Sequence, residues 1–129
     1  MRINLFLNKK DLRNSDLFPA IMDYFRRIDK FVKINIYYCL NSKLFDQSDS
    51  YNINISIDGE YMDSIEFSNI IRFKSMDRIK NINIVFGTSN LYHNICFVCF
   101  NVDIDLLFLI VLEQIYRSYK IINNEPYHK

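Results

Sequence analysis

With 129 residues and a formal net charge of +1, the chain is long enough for one domain with a sizeable core and too short for two ordinary ones. Half of it is hydrophobic and 24% is charged, a globular composition that excludes a disordered chain. No strongly basic half exists, so any nucleic-acid contact has to be local.

RINLFL, residues 2 to 7, reads as a first strand, followed by a polar connection that carries Lys9 and Lys10. A helix follows, with Ser15 as its cap, Asp16 in its first turn and Pro19 near its start, where amide donors are unpaired anyway. Leu17, Ile21, Tyr24, Phe25 and Ile28 fall on one face of it, which turns Arg26, Arg27 and Lys30 outward. KINIYYC, 33 to 39, alternates as a second strand, and NSKLFDQSDS is a loop. YNINISI, 51 to 57, is a half-covered strand that ends at the turn signal Asp58-Gly59.

Asp63 and Glu66 form a capping box that opens a helix with Phe67, Ile70, Ile71 and Phe73. NINIVFG, 81 to 87, is the next strand, ending at a glycine that suits a backbone bend or a close ligand approach. ICFVCF, 95 to 100, is the last strand, and one long helix runs from about Asp103 to Ile122, stopped by Asn123-Asn124 and Pro126. The order predicts an α/β sandwich, a sheet covered by helices, in a single domain over 1–129. LLFLIVL, Leu106 to Leu112, falls far short of the roughly 20 residues that span a bilayer. It makes the last helix apolar nearly all round, which predicts a homodimer and no membrane partner.

Cys39, Cys96 and Cys99 are an odd number, and the opening MRINLFLNKK lacks an apolar signal core; together they point to a reducing, cytoplasmic setting. His93, Cys96 and Cys99 have an H-x2-C-x2-C spacing that would supply three zinc ligands, with Cys39 or His128 as a fourth. On a strand, however, residues three apart point to opposite faces, so buried cysteines packing as hydrophobes are the better reading and no metal is expected. Glu113 and Arg117, four apart, read as a surface ion pair. Lys9, Lys10, Arg26, Arg27, Lys30 and Lys33 form a basic cluster that is either an RNA contact or a solvated rim.

The closing string LEQIYRSYKIINNEPYHK closely resembles the C-terminus of the RlmH family, SPOUT-class methyltransferases that modify a pseudouridine of 23S ribosomal RNA. DYFRRIDKFVKINI, ISIDGEYMDSIEF and IVFGTSN are similar to further segments of that family in the same order, so the resemblance covers nearly the whole chain. The chain is shorter than the family between its second and third strands, where a further helix is usual, and again between Gly87 and Asn101. The family's second loop glycine is Thr88 here, and its Thr, Pro and His become Asn101, Asp103 and Ile104.

The resemblance implies a mostly parallel SPOUT-like sheet flanked by helices, with a C-terminal trefoil knot, and a homodimer that works on 23S rRNA or the ribosome. It implies S-adenosyl-L-methionine as cofactor, held at Ile55, Gly87, Phe100 and Asn101, and methylation of N3 of pseudouridine. Tyr127, His128 and Arg117 are the implied catalytic residues, and Lys129 with Arg117 the implied contacts to RNA. Two alternatives stand beside this reading: a catalytically weak or inactive dimeric remnant of the family, and a small zinc-binding module.

Overall fold

The computed structural model describes residues 1–7, 12–39, 42–87, 92–98 and 100–125. The elements are β1 (Arg2–Phe6), α1 (Phe18–Ile28), β2 (Lys33–Tyr37), α2 (Ser42–Phe45), β3 (Ser50–Tyr61), α3 (Ser64–Met76), β4 (Asn81–Phe86), β5 (His93–Cys96) and α4 (Ile104–Ile122). The five strands form one sheet in the order β2-β1-β4-β3-β5, and every pairing is parallel. This is the SPOUT-like α/β arrangement expected from the sequence. The connection leaving Gly87, on which the expected knot depends, lies outside the described residues.

Alternation along each strand divides the sheet into two unlike faces. Ile3, Leu5, Ile34, Ile53, Ile82 and Ile84 point to one side and join the main core with Ile21 and Ile28 of α1, Phe67 and Ile71 of α3, and Phe108, Val111, Leu112 and Ile115 of α4. α4 packs against both α1 and α3, so these three helices cover that face together. Its apolar length is what allows it to serve both neighbours.

The opposite face is built of asparagine. Asn35, Asn4, Asn83 and Asn52 stand opposite one another on β2, β1, β4 and β3. Asn35 Nδ2 donates to Asn4 Oδ1 at 3.0 Å, Asn4 Nδ2 to Asn83 Oδ1 at 2.9 Å, and Asn83 Nδ2 to Asn52 Oδ1 at 3.0 Å. Asn54 and Asn94 continue the pattern across β3 and β5 at 2.9 Å. A buried amide is tolerable only when its bonds are made, and here they are made only in one register. The short α2 closes over this face: Leu44 and Phe45 offer carbonyls to Asn83 and Asn52, and the Phe45 ring packs on Phe6.

Several local expectations are corrected. Ser15 does not cap α1; the helix starts at Phe18, and the Ser15 hydroxyl accepts from the Leu17 N–H in the turn before it. Pro19 nevertheless sits in the first turn, as expected. The loop after β2 contains one helical turn, α2, too short to leave a periodic signal. Asp58-Gly59 is not the end of a strand: β3 continues to Tyr61, with a register shift by which Ile55 and Glu60 both pair with Ile95. Gly59 is there because its backbone lies against that of Ile95, where a Cβ would come within 2.5 Å of the Ile95 carbonyl carbon.

β5 starts at His93 and ends at Cys96, two residues earlier than expected and four short of Phe100. Phe73 is exposed, because α3 buries the stripe of Phe67, Ser68 and Ile71, and two residues on from Ile71 is about 200° round the helix. The capping box of α3 is present: Asp63 Oδ1 accepts from the Glu66 N–H at 2.8 Å, and Glu66 Oε1 accepts from the Asp63 N–H at 3.4 Å. α4 has the expected limits, with Asp103 at its N-cap and Asn123 at its C-cap.

Candidate functional site

The middle of β3, where its pairing with β4 ends, the carboxyl end of β4, the segment after β5 and the first turn of α4 enclose a cavity of about 250 Å³. Ile55, Ser56 and Ile57 form one wall and Phe86 and Gly87 another; Phe97, Val98 and residues 100–102 form the third, and Ile104 and Leu107 close it from α4. Ligands of open α/β sheets sit outside the carboxyl ends of the strands, and this cavity lies at the carboxyl end of β4. Ile55, Gly87, Phe100 and Asn101, four residues from three separate segments, therefore stand around one space.

Each wall has a local cause. Gly87 ends β4 with φ +71, a conformation that disfavours any side chain, and its N–H donates to the Ile55 carbonyl at 2.9 Å. Among the described residues, its chain neighbours aside, no atom lies within 4 Å of where its Cβ would be, so none of them screens the Gly87 backbone from the cavity. Phe100 is 65% exposed, a large apolar ring at the rim. The amino end of α4 has no side-chain cap, since Asp103 makes no capping bond, and this partially positive end abuts the cavity through Ile104 and Leu107. Sequence reasoning missed Ser56, Ile57, Phe97, Val98 and Leu107; the only signal for them was the apolar run around Phe97.

Arg117 is not in this cavity. It lines a neighbouring groove on α4 with Leu106, Leu109 and Ile110, separated from the cavity by Phe97 and Val98, which border both. Its guanidinium pairs with Glu113 and reaches Ser64 Oγ at 3.3 Å, while Ser64 Oγ donates to Gln114 Oε1 at 2.8 Å. The expected surface pair is thus a half-buried network that ties α4 to the start of α3. Tyr127, His128 and Lys129 lie outside the described residues, as do Lys9, Lys10, Thr88, Cys99 and Pro126. α4 ends with Asn124 at φ 54, the Glu125 N–H bonded to the Lys120 carbonyl at 2.8 Å, and Lys120 Nζ 2.7 Å from the Glu125 carboxylate. The hydrogen bond to Glu125 raises the Lys120 amine above its ordinary range.

His93 and Cys96 do not converge. The Tyr51 hydroxyl bonds His93 Nδ1, and His93 Nε2 lies 3.8 Å from the Glu60 carboxylate. Burial, and then the charge of Glu60, push the Tyr51 hydroxyl above its usual pKa. The Cys96 thiol instead donates to the Val98 carbonyl at 2.8 Å. Among the described residues no three His, Cys, Asp or Glu side chains are grouped to hold a metal, and no helix is long and apolar enough to cross a membrane. Of the basic cluster, Arg27 pairs with Asp23 at 3.0 Å and lies over the Tyr24 and Tyr116 rings.

Comparison with known proteins decides the lineage. Residues 40–128 match the family described as "Predicted SPOUT methyltransferase". A ribosomal RNA large subunit methyltransferase H of a Thermoanaerobacter species is 33% identical, with 85% of this chain and 86% of the relative covered. The chain belongs to the RlmH family of SPOUT methyltransferases. The protein of that name from Clostridium tetani is 26% identical over 92% of this chain and 94% of its own length. That of Malacoplasma penetrans reaches 38% identity over 62% of this chain and 56% of the relative. The RlmH resemblance seen at the C-terminus thus extends through the β3–α4 region that builds the cavity.

Proposed function

We propose that the chain, as a homodimer in the cytoplasm, transfers the methyl group of S-adenosyl-L-methionine to N3 of a pseudouridine in 23S rRNA. The observation that carries this reading is the convergence of Ile55, Gly87, Phe100 and Asn101 on one cavity in a member of a methyltransferase family.

The residues present suit the cofactor. The backbone at Gly87 and the main chain of β3 beyond Ile55, where its pairing with β4 ends, offer hydrogen-bonding groups to an adenine edge, and Phe97 and Phe100 offer apolar surface to its ring. A volume of about 250 Å³ suits a nucleoside and falls short of the roughly 300–1,000 Å³ usual for small-molecule sites. The reading therefore assigns the rest of the enclosure to a second copy, docked along the exposed Leu106 and the half-buried Leu109 and Ile110 of α4.

When bound, the cofactor supplies a sulfonium methyl already activated for transfer. The protein then has to align the nucleophile and relieve N3 of its proton. His128 accepts or steers that proton with Tyr127 beside it, from the tail of one chain acting on the cavity of the other. Lys129 and Arg117 hold RNA phosphate, with Glu113 and Ser64 fixing the Arg117 guanidinium.

The test is expression in a bacterium that lacks its own RlmH, followed by mass spectrometry of its 23S rRNA. The methylated pseudouridine should reappear. Its absence with soluble protein present rejects the reading.

A further inference from the structure

Resting on the ribosomal RNA reading, we propose that the groove between α1 and the open edge of β2 docks single-stranded RNA and leads it toward the cavity. β2 is an outer strand of the sheet, and a groove of about 640 Å³ runs along it against α1. Phe18, Met22 and Phe25 line it from one stripe of α1, at i, i+4 and i+7; Tyr38, 42% exposed, stands at its far end. Arg13 and Lys33 also line it, and no carboxylate does among the described residues.

Cations interleaved with aromatic rings are the means by which proteins track a single strand: charge meets phosphate and rings receive bases. Arg26 stands one turn beyond Met22 on α1, and Lys30 follows the helix just after its C-cap, Asp29, so two cations and one carboxylate stand at that end of the stripe. Neither these cations nor Lys33 form an ion pair among the described residues, and Asp23 is already paired with Arg27. The charge favours a polyanion over a partner β-strand, which would use the backbone edge but leave Arg26, Lys30 and Lys33 unanswered.

Topology gives the groove its direction. Because all strands are parallel, Tyr38 beyond β2 and Gly87 beyond β4 lie at the same end of the sheet. In the order β2-β1-β4 they are two strands apart, about 10 Å at strand spacings of about 4.8 Å. A strand leaving the groove past Tyr38 reaches the mouth of the cavity within a few nucleotides.

The full-length protein is titrated with labelled oligouridylate at several salt concentrations. Reversing Arg26 and Lys33 together (Arg26→Glu with Lys33→Glu) should weaken binding at least tenfold and flatten the log–log salt slope by about 1.4, roughly 0.7 per phosphate contact. Tyr38→Ala should weaken it about tenfold, as loss of one stacked base does, and leave the slope unchanged. Cofactor affinity by calorimetry should not move in either variant. Wild-type affinity and slope in the charge-reversed protein would overturn the proposal. So would an oligonucleotide that leaves the β2 amides as open to hydrogen exchange as in the free protein. A methylation assay separates this from the reading beneath it. If wild-type protein methylates 23S rRNA and the variants do so with unchanged RNA KM, the groove is rejected and the enzyme stands; if wild type is inactive, the enzyme reading falls and the titration still decides the groove.

Discussion

The N–H of Gly87 donates to the carbonyl of Ile55 at 2.9 Å, joining the end of β4 to the middle of β3 where the cavity opens. Gly87 holds φ +71 and a Cβ there would meet no described residue beyond its chain neighbours, whereas Gly59 is pressed against the Ile95 backbone. The two glycines are thus needed for different reasons. Gly87→Ala should lose only the backbone preference, about 1 kcal/mol. Gly59→Ala has to push β3 from β5 and should lose about 2–3 kcal/mol. Urea unfolding of both variants checks the order, and equal losses would contradict it.

Asn83 is fully buried and bonds Asn4, Asn52 and the Leu44 carbonyl. Asn83→Leu keeps the bulk but strips three groups of a partner; Asn4 Nδ2 retains Asn81. The expected loss is about 2–4 kcal/mol, read as a lowered urea midpoint, because each orphaned buried group costs about 1–3 kcal/mol.

Tyr119 is 9% exposed and stacks on Phe31 at 5.7 Å, and burial pushes its hydroxyl well above the usual 10.0. In the unfolded chain this phenol loses its proton from about pH 10 upward, while in the fold it keeps it. Above about pH 10 the folded state therefore binds more protons than the unfolded chain, so stability falls as pH rises. Below pH 10 the contribution is fully present. Tyr119→Phe should flatten the alkaline decline of the unfolding midpoint from about pH 10 to about pH 11; a decline as steep as in wild type would remove Tyr119 as its source.

Phe100 gives an exposed ring to the cavity rim, so its removal should weaken ligand binding with little effect on folding. Phe100→Ala is expected to lower S-adenosyl-L-methionine affinity about tenfold, near 1.4 kcal/mol, by calorimetry. The thermal midpoint should shift by no more than about 2 °C.

Much of this architecture was legible in the residues. The Asp63–Glu66 box and the limits of α4 follow from local chemistry that the fold does not overrule. Gly59 was misread because absence of a Cβ serves a turn and a close backbone approach equally well, and only the position of Ile95 distinguishes them. The asparagine row was invisible because register is a relation between strands that are distant in sequence, and Asn4 and Asn83 are 79 positions apart. In the site, Ile55, Gly87, Phe100 and Asn101 were named through family resemblance. Ser56, Phe97 and Leu107 were not, since a cavity wall is set by how segments meet and not by any motif within one of them.

The asparagine row also limits how this sheet is able to drift. A change at Asn4 or Asn83 is felt by the residues opposite it, so an isolated exchange is penalised at several strands at once. A chimera that borrows β1 or β4 from a relative therefore has to import the facing strands with it, and the tolerated unit of replacement is the row across the sheet.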